Sequence, residues 1–75
     1  MHPVQLKMAS VALSVTVKQM AELAGVSHDT ITRLEAGDVL KPSTVEKVRR
    51  ALEAAGIIFI EQNGEGPGVR LRKGR

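Results

Sequence analysis

Between Thr16 and Gly37 the chain encodes two short helices and the turn that joins them, and few other folds suit that run of residues. Thr16 can cap a helix, and Gln19, three residues on, can reach back to complete a capping box. Met20, Leu23 and Ala24 follow as an apolar stripe at helical spacing. Gly25 is a stop signal, because glycine enters the left-handed region without a Cβ clash. Val26 can plug the corner, and Ser27 can cap a second helix expected over about residues 28–36. Ile31 and Leu34 of that helix point inward, while His28, Asp29, Thr32 and Arg33 fall on the opposite side. Ala21 is small where two helices must cross closely, and Gly37 is the second stop. Every local signal agrees with its neighbour.

Met20-Ala21, Ala24-Gly25-Val26-Ser27, Thr30-Ile31 and Leu34-Glu35-Ala36-Gly37 form a gapless pattern. On these residues the chain resembles the lambda-repressor-like, Cro-type (XRE) helix-turn-helix family. The likeness is strongest over residues 16–37 and extends from Val4 to Gly56. It implies a bacterial or phage-derived, cytoplasmic transcription regulator that acts as a homodimer. Two positions depart from the family pattern. Val17 stands where members often carry a glutamine that touches the DNA backbone. Ser10 stands where they often carry an arginine paired with the glutamate of the recognition helix. Both changes remove a polar contact without breaking the fold.

A chain of 75 residues makes one small domain, and domains near this size bury only about 60% of their unfolded surface. It has no cysteine, which excludes disulfides and thiolate metal sites. His2 and His28 are far apart, with no further ligand at metal-binding spacing, so no metal and no cofactor are expected. No apolar run is long enough to span a membrane, and the N-terminus lacks the apolar core of a signal peptide. A cytoplasmic protein is the expectation. An enzyme is not: no nucleophile–base pair or phosphate-cradling loop is present, and Gly64-Glu65-Gly66-Pro67-Gly68 lacks the strand–helix context of a nucleotide loop.

The expected architecture is mainly α, with four helices over residues 1–56 and a C-terminal β-hairpin with a basic tail over 57–75. Pro3 opens the first helix, with Val4, Met8, Val11 and Ala12 on its inner face, broadened by Leu6 and Leu13. Ser43 with Glu46 reads as a capping box for the last helix, whose Val45, Val48, Leu52 and Ala55 face inward. Ile57-Ile58-Phe59-Ile60 and Val69-Arg70-Leu71-Arg72 read as antiparallel strands around a glycine-rich turn at Asn63–Gly68. The first strand is apolar on both faces. Ile58, Phe59, Ile60, Val69 and Leu71 are therefore the expected dimer interface; a hairpin folded wholly onto its own helices is the alternative.

The net charge of +3 is concentrated at one end. Arg70, Arg72, Lys73 and Arg75 leave seven of the 11 basic residues against all eight acidic ones, so residues 1–69 carry a net charge of −1. The tail can add DNA backbone contacts or serve solubility alone.

In the docking mode the resemblance implies, side chains near the start of the recognition helix reach base edges. His28, Asp29, Thr32 and Arg33 are the candidate base readers. Arg33 suits guanine O6 and N7, and Asp29 either accepts from cytosine N4 or merely favours the helix N-terminus. Lys18, Ser27, Lys41, Ser43 and Thr44 are candidates for the DNA backbone. A monomer with so few phosphate contacts needs a second copy, which makes the expected target duplex DNA with an inverted repeat. The other reading is a protein-binding module on the same fold, an antitoxin or antiactivator whose partner is another regulator.

Overall fold

A computed structural model describes residues 1–60, 64 and 66–72. The described elements are α1 (Pro3–Leu13), α2 (Val17–Ala24), α3 (His28–Glu35), α4 (Pro42–Ala54), β1 (Ile57–Ile60) and β2 (Gly68–Leu71). The mainly α expectation with a terminal strand pair holds. Of the expected turn, Asn63 and Glu65 lie outside the described residues, as do Lys73 and Arg75 of the basic tail.

The first three helices stop in the same way. After each, one residue takes a left-handed backbone: Ser14 at φ 56, Gly25 at φ 69 and Gly37 at φ 92. The next N–H then turns back to a carbonyl five residues earlier. Val15 donates to Ser10 at 3.0 Å, Val26 to Ala21 at 3.0 Å and Asp38 to Arg33 at 3.0 Å. These closures satisfy carbonyls that the helix end would otherwise strand. Ser14 performs a glycine's task with a Cβ in place, which costs roughly 1–2 kcal/mol in the left-handed region. Ser14→Gly is expected to raise stability by about 0.5–1 kcal/mol, the gain being reduced by glycine's greater unfolded-state entropy. Urea unfolding followed by circular dichroism reads this directly; a destabilised variant would show that the Ser14 side chain is needed for something else.

The core is Leu6 and Ala9 of α1, Met20, Ala21 and Ala24 of α2, Ile31 and Leu34 of α3, Val48 and Leu52 of α4, and Ile57 of β1. Two expectations about its lining are corrected. The inner face of α1 is Leu6 and Ala9, with Ala12 and Leu13 packed beside them, whereas Val4 is 44% and Val11 78% exposed. The helix carries two overlapping apolar stripes, and the one with the small Ala9 admits the closer approach of α3 and β2. Leu23, expected inside α2, is 47% exposed, since Met20 and Ala24 already fill that face. A third correction concerns α4. Pro42 occupies its first turn with Lys41 as N-cap and no capping side chain. Glu46 instead accepts from Arg50 Nε at 2.9 Å, so Ser43 and Glu46 form no capping box.

The hairpin is antiparallel, with Ile57 opposite Leu71, Ile58 opposite Arg70, Phe59 opposite Val69 and Ile60 opposite Gly68. The ladder continues past the strands, where Arg72 N–H donates to the Gly56 carbonyl at 2.7 Å. β2 packs on α1 and β1 on α4. A side chain near the start of the chain closes the other end. Gln5, 4% exposed, donates through Nε2 to the carbonyls of Ile60 at 3.1 Å and Gly68 at 2.9 Å. Its Oε1 accepts from the His2 backbone N–H at 2.8 Å. One buried amide thus ties the start of α1 to both strands.

Candidate nucleic-acid interface

The capping box read at the start of α2 is present. Gln19 N–H donates to Thr16 Oγ1 at 3.1 Å, and Thr16 N–H to Gln19 Oε1 at 2.9 Å. Three residues after its first residue, α2 drops Met20 and then Ala21 into the core, which sets its crossing with α3. A lysine that the sequence does not single out braces the turn between them. Lys47, on α4, donates from Nζ to the Gly25 carbonyl at 3.0 Å. That cation meets the C-terminal end of α2, where the helix dipole is negative.

Ser27 caps α3, accepting from Thr30 N–H at 3.1 Å, and its hydroxyl lies 2.8 Å from Thr30 Oγ1. Ile31 and Leu34, fully and almost fully buried, peg α3 to the core. His28, Asp29, Thr32 and Arg33 are all exposed, so the four expected base readers share the outward side. Thr32 Oγ1 donates to the His28 carbonyl at 3.2 Å. Arg33 is engaged twice: its Nε is 3.2 Å from Asp38 Oδ2, and its Nη1 is 3.9 Å from Asp29 Oδ2. Asp38, in the loop after α3, is the contact of this candidate reader that sequence reasoning missed. The only signal for it was its place one residue beyond the Gly37 stop.

The candidate backbone contacts sit at helix starts. Lys18 is exposed in the first turn of α2, Ser27 precedes α3, and Lys41, Ser43 and Thr44 flank or open α4. Lys41 and Ser43 are exposed and Thr44 is half-buried. Arg33 is hydrogen-bonded or ion-paired to Asp38 and Asp29 rather than to any of these residues. Glu35, half-buried, forms no ion pair among the described residues, in keeping with serine rather than arginine at position 10.

On the hairpin, Phe59 and Val69 pack against the chain's own core, and the Arg49 guanidinium lies 5.3 Å from the Phe59 ring centroid. The strands leave Ile58 40% and Leu71 47% exposed, together with the charged Arg70 opposite Ile58. Among the described residues there is no group of His, Asp and Glu that could hold a metal ion, and no helix long and apolar enough to cross a membrane. A groove of about 220 Å³ beside α3, lined by Met1, Pro3, Leu34, Val39 and Val45 among others, falls below the roughly 300–1,000 Å³ of small-molecule sites.

Two short helices crossing at a glycine turn, the second buried by two pegs and polar on its outer side, define a DNA-binding helix-turn-helix. The chain belongs to the helix-turn-helix domain family, whose model matches residues 4–57. No curated protein matches it.

Proposed function

We propose that this protein is a sequence-specific transcription regulator that binds an inverted repeat in duplex DNA as a homodimer, in the cytoplasm, without catalytic activity. The observation that carries this reading is the outward side of α3. Four polar side chains stand exposed on a helix whose buried residues are Ile31 and Leu34. A helix of that kind fits the major groove, with base edges met by Arg33, Asp29, Thr32 and His28 and the backbone by groups at helix starts. The chain extends 30 × 28 × 19 Å. Chains of this size can sit side by side on half-sites about 34 Å apart. Ile58, which shares the outward face of the hairpin with its cross-strand partner Arg70, supplies exposed apolar surface on which such copies can meet, while Leu71, paired with buried Ile57, is half exposed on the other face.

Fluorescence anisotropy with DNA from upstream of its own gene, at about 50 and 200 mM salt, tests the reading. Binding should be selective over random duplex and should weaken with salt. Arg33→Ala is expected to lower affinity for the preferred site by about 1–3 kcal/mol, leaving random-sequence binding nearly unchanged. Deleting one half of the repeat should weaken binding steeply. Equal affinity for all sequences, repeated across fragmented genomic DNA, would sink the reading.

One observation favours a second reading. The outward side's one arginine stands between two carboxylates, which lowers its attraction for phosphate. A protein-binding module, an antitoxin or antiactivator of another regulator, would tolerate Arg33→Ala and fail on changes at Phe59 or Leu71.

A further inference from the structure

Asp38 is tied to Arg33 twice, once through the main chain and once through the side chain. Its N–H donates to the Arg33 carbonyl at 3.0 Å while Gly37 N–H donates to the Leu34 carbonyl at 3.1 Å. With Gly37 at φ 92, these bonds set residue 38 over the last turn of α3 whatever its side chain does. The carboxylate then reaches back, and Oδ2 accepts from Arg33 Nε at 3.2 Å. We propose that Asp38 is a positioning residue for base reading: it holds the Arg33 guanidinium by its Nε edge and leaves the Nη1–Nη2 tip to face a guanine. The inference rests on the DNA-reader reading above.

The donor geometry makes this division possible. A guanidinium has five N–H groups in a rigid plane, of which Nε supplies one. Holding that edge fixes the plane, and the remaining fork can still take guanine O6 and N7 together. Asp29 does not block the tip, since 3.9 Å from Nη1 is beyond hydrogen-bond range and its side chain is 78% exposed. In free protein the Arg33–Asp38 pair is about half exposed on both sides and contributes little to stability. In a DNA complex, water leaves and the contact strengthens. Ordering a long side chain before binding removes a cost from the specific complex. The same carboxylate repels phosphate in every complex, so Asp38 exchanges non-specific affinity for selectivity.

The test begins by enriching duplexes with a randomised centre on the full-length protein, then measures preferred-to-random affinity ratios for variants. D38A is expected to lower the ratio about tenfold, the scale of one good base contact, and to raise random-sequence affinity at low salt. D38N should keep the ratio within about threefold, because its amide oxygen still accepts from Nε. In an Arg33→Ala background, D38A should leave the ratio unchanged. Circular dichroism checks that each variant is folded; should D38A unfold, Asp38→Ser, too short to reach Nε, takes its place. A D38A ratio equal to wild type, with Arg33→Ala still losing selectivity, overturns the positioning role alone. Failure of the wild-type protein to enrich any sequence overturns the regulator reading and this inference with it.

Discussion

Gln5→Glu is expected to destabilise the fold by roughly 3–5 kcal/mol near neutral pH, the scale of a buried charge left without a partner. The wild-type amide donates to two carbonyls, of Ile60 and Gly68, and accepts from His2 N–H. A carboxylate can keep only the last of these and turns its charge toward two carbonyl oxygens. Gln5→Ala removes the donors without adding charge and should cost less, about 2–3 kcal/mol, since the orphaned carbonyls are only partly buried. The two variants separate by pH. Burial among acceptors disfavours the ionised form of the introduced carboxyl and raises its folded-state pKa above the unfolded one. Its penalty relative to wild type is therefore smallest below the unfolded value, near 4.3, where the group is protonated in both states. The penalty grows as pH rises from there to the folded-state pKa and is level above it. Gln5→Ala should show no such trend. The chain has neither tryptophan nor tyrosine, so urea titrations at several pH values are followed by far-ultraviolet circular dichroism. A pH-independent penalty for Gln5→Glu would mean that the side chain swings out to water and that the hairpin does not need the clamp.

That clamp also marks where sequence reading stopped. Thr16, Gln19, Gly25 and Ser27 act on neighbours three to five residues away, so their roles follow from spacing alone. Gln5 acts across 55 and 63 positions, and a glutamine in the first turn of a helix reads as a solvated residue. The face of α1 is legible only in part for a related reason: Leu6, Ala12 and Leu13 are inside as expected, and Val4 and Val11 are not. Val4, Met8 and Val11 have the regular spacing of an inner stripe, but Leu6 and Ala9 are what the neighbouring elements accept, and only the packed partners decide between them. The start of α4 was a contest between two local signals, in which proline's fixed φ prevailed over the serine–glutamate pair. At the candidate site, the outward set of α3 was legible from the helical period once Ile31 and Leu34 were placed inside. Asp38 was not, because a loop residue one step past a stop has no period to place it. Lys47 likewise reaches the Gly25 carbonyl from a helix that begins after another loop.

Ile31→Ala should separate how α3 is held from what α3 reads. Ile31 is fully buried at the crossing with α1 and α2. Removing its side chain leaves a cavity in a core of few residues, at about 2–4 kcal/mol. For a domain this small each kcal/mol lowers Tm by roughly 4–8 °C, so the variant should melt far below wild type or fail to fold at 37 °C, about body temperature. The outward side chains are untouched, however, and Ser27 still caps the helix. At a temperature where circular dichroism shows the variant folded, its preferred-to-random DNA ratio should therefore equal that of wild type. Arg33→Ala should do the opposite: its side chain is about half exposed and its contacts are surface ion pairs worth about 0–1 kcal/mol, so Tm should move little while selectivity falls. If Ile31→Ala loses selectivity while fully folded, the reader depends on the exact seat of α3 in the core, and the four outward residues would not by themselves account for recognition.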